Sequence, residues 1–387
     1  MPHRRETIRF ATFNVALARS APGALAEALG GADDPQARAV AEIIQRVRPD
    51  VLLLNEFDYD ADGLALQRFR ENYLACGRNG AEAMSYPHAF AAPVNTGVPS
   101  GLDLDRDGRT DGPGDALGFG AFAGQYGMAL LSMHPLRTDG IRTFRELRWG
   151  DMPGALLPSV PETDEPWFDG EAAAVVRLSS KSHWDVPVRV GAREIHLLCS
   201  HPTPPVFDGA ERRNARRNHD EIRFWADYLN ENRAGYIRDD AGRRGGLSAT
   251  EPFVVLGDLN ADPHNGHSWP GAIEQLLAHP RINTESPPAS AGARGAALDK
   301  SHPCVRAGKL PALHTADFGD DGPGNLRVDY VLPARELTVR DGGVFWPERT
   351  DPLFRLIGDY PFASSDHRLV WLDVDTPRDN DEGGMQR

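Results

Sequence analysis

Short apolar runs alternate with polar stretches along the chain, and most of these runs end on a side chain capable of chemistry. Ile8 to Val15 reads as a strand carrying Asn14 at its end, and Val51-Leu52-Leu53-Leu54 as a buried strand that delivers Asn55 and Glu56. Between them, Asp34-Pro35 supplies an N-cap and a first-turn proline. Val40, Ile43, Ile44 and Val47 then recur at helical spacing until Pro49 stops the helix. Further strands are predicted over residues 127–132, 172–178, 194–200, 253–256, 328–332 and 369–374, with residues 181–193 as the connection between 172–178 and 194–200. A helix is expected to open at Asp208, which with Glu211 has the spacing of a capping box with Asp in place of Ser or Thr. Ile222, Trp225, Ala226 and Leu229 form its apolar side, and Arg212, Arg213, Arg216 and Arg217 lie opposite.

Glycine- and proline-rich stretches at about 95–125, 145–170, 233–250 and 284–300 read as long loop insertions, in keeping with 39 Gly and 31 Pro. No internal repeat and no linker between two cores is visible, and the strand-end residues are spread from position 14 to position 367. One domain over residues 7–375 is therefore expected, with residues 376–387 as a disordered tail.

Composition changes this picture in a few places. A chain of 387 residues, 40% hydrophobic, can bury a large core. Its formal charge of −14 lowers the expectation of a nucleic-acid binder, whose affinity usually comes from a basic surface, but leaves room for a local basic patch. The same acidic excess suits a site that gathers carboxylates around a divalent cation. Cys76, Cys199 and Cys304 fit neither a zinc site nor a disulfide framework, and Cys199 reads as a small core residue. The first ten residues lack the apolar stretch of a signal peptide and no apolar run spans a membrane, so a soluble, cytoplasmic protein is expected, or a secreted one had a leader been removed.

Taken singly, the strand-end residues are ambiguous: Asp and Asn are common where strands turn, and His beside Asp is frequent. Their order is more specific. Asn14 stands in Thr12-Phe13-Asn14, Glu56 in Leu54-Asn55-Glu56 and His201 in Ser200-His201. Gly257-Asp258-Leu259-Asn260, Arg327-Val328-Asp329-Tyr330 and Ser365-Asp366-His367 follow. This series resembles the endonuclease/exonuclease/phosphatase superfamily over roughly residues 8 to 374. The resemblance implies a deoxyribonuclease I-like α/β fold, a four-layered sandwich of two packed, mainly antiparallel β-sheets flanked by helices. It also implies hydrolysis of phosphate esters assisted by Mg²⁺ or Mn²⁺.

On that resemblance, Glu56 is the first metal ligand, with Asn14 and Asp366 beside it, since Mg²⁺ prefers hard oxygen ligands. His367 is the candidate for proton transfer and Asp329 would orient its ring. Asp258 would orient or deprotonate the attacking water, Asn260 would donate to a phosphate oxygen, and His201 would stabilise developing charge or protonate the leaving oxygen. Which of His367 and Asp258 takes the proton from water is left open. His196, on the same run as His201, reads as structural. The substrate is expected to be a phosphorylated small molecule or a nucleic acid, and no protein partner is implied.

Three further features stand outside this set. Asp103, Asp105, Asp107 and Asp111 match the front of a calcium-binding loop with Gly108 at its sixth position, but Gly114 occupies the twelfth and Asp115 follows it. A structural Ca²⁺ site or a solvated turn are the two readings. Arg212, Arg213, Arg216 and Arg217, shortly after His201, are either a solvated helix face or a phosphate-binding cluster. The loop 316–324 adds acid to the rim of the expected site. The rival to an enzyme is a non-catalytic, calcium-stabilised binding module of the same fold, which would be expected to lose Glu56 or His367; both are present.

Overall fold

A computed structural model describes residues 7–299, 310–319 and 322–376. Among the described residues there are thirteen strands, most of them in two sheets, and the longer central ones carry the apolar runs. The first sheet contains β1 (Thr7–Leu17), β2 (Val51–Phe57), β3 (His88–Phe90), β4 (Met128–Ser132), β12 (Thr338–Val344) and β13 (Val370–Asp375), in the order β12-β13-β1-β2-β4-β3. The second contains β5 (Arg142–Thr143), β6 (His183–Val190), β7 (Arg193–Ser200), β8 (Phe253–Asp258) and β11 (Asp329–Pro333), in the order β11-β8-β7-β6-β5. A small hairpin of β9 (Ala316–Asp317) and β10 (Asn325–Leu326) stands apart.

Each large sheet is antiparallel except for one pair. β1 runs parallel to β2, and β7 parallel to β8. Parallel neighbours cannot be joined by a tight turn, so each pair needs a crossover, and each crossover carries a long helix. Pro35–Val47 links β1 to β2, and Arg213–Tyr228 lies between β7 and β8. Asp34 caps the first helix through Ala37 N, and Ala37, Val40, Ala41, Ile43, Ile44 and Val47 are buried along it, as the spacing predicts. Helices outside two face-to-face sheets give the four-layered α/β sandwich expected from the sequence. The hydrophobic core runs through both sheets: Phe10, Phe13, Leu52 and Leu54 from one join Leu197, Val255 and Val331 from the other.

This topology decides where the chemistry goes. Asn14 and Asn55 are paired in register near the carboxyl ends of β1 and β2, with a bulge just beyond at Ala16 and Glu56, both at positive φ. β8 ends at Asp258, and antiparallel β11 begins opposite it at Asp329. β13 runs antiparallel to β1, pairing Val370 with Thr12, so the segment that precedes it arrives at the same rim.

The structure corrects several local expectations. Residues 172–178 are not a strand: Asp169 accepts from Ala172 N and caps the helix Gly170–Val175, where an alanine run favours helix, and only Arg177 makes an isolated bridge to Arg148. The partner of β7 is instead β6, within the expected connection; Trp184, Val186, Val188 and Val190 alternate there, although Pro187 argues against a strand. Within the loop expected at 284–300, Ala291–Asp299 is helical. The helix expected at Asp208 starts at Arg213, because the Asp208 carboxylate caps Asn214 N and Ala215 N from further back while Glu211 receives only Gly209 N. β12, an edge strand, was not anticipated. The 377–387 part of the expected tail, Cys304, Lys300, and Asp320 and Asp321 of the rim loop lie outside the described residues.

A Cβ on Gly257 would stand 2.0 Å from Ser200 O, which is incompatible with the close approach of β7 and β8. Gly257→Ala is expected to destabilise the fold by about 1–3 kcal/mol, read as a lower urea midpoint at unchanged slope; an unchanged midpoint would show that this contact has room to relax.

Candidate active site

Asp258 lies where the two sheets meet. It is 1% exposed, and its Oδ2 accepts from Asn14 Nδ2 at 3.0 Å. The same amide donates to Glu56 Oε1 at 3.1 Å, while Asn14 Oδ1 accepts from Ala16 N. Asp258 N donates to Asn55 Oδ1, which also accepts from Thr12 Oγ1. Asp258 at the end of β8 thereby holds the carboxyl ends of β1, through its carboxylate, and of β2, through its backbone N–H.

On its other side stand two histidines. His367 donates from Nδ1 to Asp329, 3.0 Å from Oδ2 and 3.2 Å from Oδ1, and turns Nε2 toward Asp258 Oδ2 at 3.6 Å. Asp258, Asp329 and His367 thus form a tight buried group. His201 Nε2 lies 3.4 Å from Asp258 Oδ2, but neither ring nitrogen of His201 has an aligned hydrogen-bond partner among the described residues.

Burial would depress the His367 imidazolium, but the charges of Asp329 and Asp258, the Asp329 hydrogen bond and the charge of Asp366 outweigh it and hold the ring well above the ordinary histidine range. Burial would likewise raise Asp258; the His367 charge, His201 and Asn14 hold it well below the usual carboxylate range instead. Asp329 is pushed up to about 6 by burial, against the pull of His367. His201 is lowered by burial and by the nearby Lys181 charge, with Asp258 pulling the other way. The resting centre therefore pairs a charged His367 with an ionised Asp258.

Backbone and hydroxyl contacts keep these groups in place. Ser365 Oγ donates to Asn14 O and accepts from His367 N, which fastens the Ser-Asp-His segment to β1. Gln36 Nε2 bonds Ser364 O and Ala16 O across the same junction. Thr315 Oγ1 accepts from both Val328 N and Asp329 N. The buried Arg368 donates to Ser365 O and His367 O. The acidic rim segment is joined directly, since Asp317 N donates to Asp366 O and Ala316 bridges His367. Gln36, Thr315 and Arg368 were not singled out in the sequence: nothing in their type or spacing separates them from ordinary loop and helix residues.

Asn14, Glu56, His201, Asp258, Asp329 and His367 are thus brought together. Asp366 is adjacent, its carboxylate contacting Ser365 Oγ at 3.4 Å and its charge felt by His367. Asn260 is two residues past Asp258, at positive φ, and donates from Nδ2 to Pro202 O beside His201. Glu56 and Asn260 both hold a backbone conformation that non-glycine residues rarely adopt, a form of local strain that collects at functional sites. His196, by contrast, forms a buried pair with Asp185 at 2.6 Å, as its structural reading expected.

The calcium-loop residues divide. Asp103 and Asp105 do come together, but their third partner is Asp115, and its carboxylate is taken by Leu104 N and Gly112 N. Asp107 N turns back to Asp103 and Asp105, while Asp111 pairs with Arg109. The arginines bind backbone rather than facing outward: Arg212 donates to His267 O, Arg213 to Leu104 O, Arg216 to Glu211 O, and Arg217 to Leu117, Arg177 and Leu178 carbonyls. Arg213 also lies over Trp167, and Arg212 and Arg216 over Trp269. They tether loops to the crossover helix.

Beneath His201, His183 is buried with Nε2–H donating to Glu221 O at 2.8 Å and Nδ1 accepting from Ser179 Oγ. Burial pushes this ring down to about 4 from an ordinary 6.5, despite the Glu221 charge. Its folded pKa lies below its unfolded value, so its contribution is complete above about pH 6.5 and is lost as pH falls toward 4. Wild-type stability should fall across that window by on the order of 3 kcal/mol more than that of His183→Gln. Parallel urea titrations between pH 4 and 7 measure this, and equal slopes for the two proteins would refute it.

The family model described as the endonuclease/exonuclease/phosphatase family matches residues 11–367. Among solved structures, an endonuclease/exonuclease/phosphatase from Beutenbergia cavernae superposes with a TM-score of 0.51 at 19% identity, covering 96% of this chain and 72% of its own. A family protein from Leptotrichia buccalis gives 0.47 at 13% identity over 95% and 100% of the two chains. The human Nocturnin catalytic domain gives 0.45 at 17% over 97% and 100%. No curated protein matches the sequence.

Proposed function

Since the chain belongs to the endonuclease/exonuclease/phosphatase family, we propose that it is a divalent-metal-dependent phosphoesterase hydrolysing phosphodiester or phosphomonoester bonds with an activated water. The observation that carries this reading is the His367–Asp258–Asn14–Glu56 chain of contacts, in which a charged imidazole, an ionised carboxylate and a hard-oxygen ligand set share one rim.

The residues fit a hard cation. Glu56 receives only Asn14 at Oε1, leaving Oε2 without a partner among the described residues, and Asp366 and the Asn14 carbonyl offer further oxygens. Glu56, Asn14 and Asp366 would hold Mg²⁺ or Mn²⁺. When bound, such a cation neutralises charge that builds on a phosphate oxygen during displacement.

In this reading, the water oxygen bonds to phosphorus as the ester P–O bond breaks. Asp258, ionised and fixed by Asn14 and Asn55, orients the water and takes its proton. His367 holds the proton that the leaving oxygen requires, and Asp329 keeps its Nδ1–H engaged so that Nε2 faces the reaction. With Asp258 3.6 Å away, the proton gained by one group can return to the other after turnover. His201, held toward its neutral form by burial and Lys181, serves as an N–H donor to developing charge. Asn260 is a second donor on that side. The substrate is a phosphorylated small molecule or a nucleic acid, and the formal charge of −14 weighs against the second without removing it.

The purified protein should hydrolyse at least one of plasmid DNA, bis-p-nitrophenyl phosphate, p-nitrophenyl phosphate and inositol phosphates with Mg²⁺, and lose that activity in EDTA. His367→Ala should lower kcat by roughly 10²–10⁴-fold with little change in melting temperature. No turnover across the panel would sink the enzymatic reading, and equal loss of activity and folding in His367→Ala would make that residue structural.

A further inference from the structure

Lys181 enters the reaction outlined above only as a charge acting on His201, yet its position is unusual. It is 5% exposed, and among the described residues its ammonium makes no hydrogen bond and no ion pair. A lysine is almost never buried without a partner, because desolvating the ammonium is costly. The segment around it is nevertheless held firmly. Asn95 N donates to Lys181 O, and Asn95 Nδ2 donates to Ser179 O. A Cβ on Gly118 would lie 1.9 Å from Ser180 O, so the 95–125 loop presses directly on this segment.

The carboxylate of Glu221 joins this segment to the catalytic rim. Its Oε1 accepts from Ser180 N at 2.7 Å and its Oε2 from Thr203 N at 2.6 Å. Residues 180–181 and 201–203 are therefore stapled side by side, as the register of His183 against Ser200 also requires. Burial lowers the Lys181 ammonium from the ordinary lysine range, the charges of Glu221, Glu56 and Asp258 pull it back up, and Lys181 in turn lowers His201. Around this junction the Ser180 and Thr203 hydroxyls and both ring nitrogens of His201 are buried without aligned partners. Glu221 is the strongest opposite charge acting on the lysine, but each of its oxygens accepts from a backbone N–H, and no hydrogen bond or ion pair joins it to the ammonium. What the junction lacks is an acceptor.

We propose that Lys181 is an anion-binding residue of the catalytic centre, its ammonium taking a non-bridging oxygen of the substrate phosphate on the His201 side. This rests on the phosphoesterase reading for its substrate class, and it adds a fixed cation to a rim otherwise dominated by Glu56, Asp258, Asp329 and Asp366. The carboxylates alone would repel a phosphate; a lysine held among them offers one oxygen a place that needs no reorganisation. Its burial without a partner is a cost to folding that ligand binding recovers.

Lys181→Met and Lys181→Arg, in the full chain with Mg²⁺, test this. Inorganic phosphate affinity is measured by titration calorimetry, alongside melting temperature and turnover of bis-p-nitrophenyl phosphate and p-nitrophenyl phosphate. Lys181→Met should weaken phosphate binding by roughly 10- to 100-fold, lower kcat/KM at least as much on whichever ester is turned over, and leave the melting temperature unchanged or raised. Lys181→Arg should recover part of the phosphate affinity. Wild-type affinity in Lys181→Met, or a wild-type protein that binds no phosphate, overturns the proposal. So does a melting temperature that falls together with affinity and is not rescued by arginine, since Lys181 would then be a counter-charge to Glu221. Turnover by the wild type with Lys181→Met unaffected leaves the phosphoesterase reading standing alone. Lysine-dependent phosphate binding without turnover of any ester does the reverse.

Discussion

The structure depends on a polar junction between two sheets that otherwise meet through hydrocarbon. Asp258, at the end of β8, accepts from Asn14 on β1 and donates its backbone N–H to Asn55 on β2. These bonds form where water is excluded, so each must be satisfied or the sheets cannot close there. The apolar core determines that the sheets stack; this junction determines how their ends are aligned. The same alignment brings Glu56, His201, Asp329 and His367 within reach of one another. Folding specificity and chemistry are consequently served by the same atoms, and a change at Asp258 could not be assigned to one alone.

The resulting electrostatics follow from burial rather than from any unusual residue. His367 and Asp258 are an ordinary imidazole and an ordinary carboxylate, and each keeps its charge against the cost of burial because opposite charge is close: Asp329 and Asp258 beside the ring, His367 beside the carboxylate. Glu56, Asp258, Asp329 and Asp366 supply more negative charge than His367 and Lys181 offset. A divalent cation would bring the rim toward neutrality, which makes a hard metal ion the natural complement of this donor set.

Much of this was legible in the sequence, and for a definable reason. Strands that carry Asn14, Glu56, Asp258 and Asp329 at or near one end have short apolar runs bounded by turns, so period and position could be read together. Gly257-Asp258-Leu259-Asn260 and Ser365-Asp366-His367 then fixed the order. What escaped depends on contacts between distant segments. Pro187 concealed β6, whose alternation becomes decisive only once β7 lies beside it. The arginines after His201 have the spacing of a solvated or ligand-binding face, but backbone carbonyls from three loops reach them. Asp115, which the loop spacing offers in place of the twelfth-position acid, does stand beside Asp103 and Asp105, whereas Asp107 and Asp111 fall outside that group. Lys181 follows two serines in an apolar neighbourhood, and only the clamps from Asn95 and Glu221 reveal that its side chain is buried.

The placement of β1 between β2 and β13 has a consequence for biosynthesis. During translation β1 and β2 emerge early and can pair, but the other edge of β1 has no strand to receive until residues 370–375 are made. For nearly the whole of synthesis that edge is an open template, and the Ser-Asp-His segment that completes the rim is absent with it. The centre is thus the last region to assemble, and an incomplete or proteolytically shortened chain carries an exposed strand edge in place of the rim.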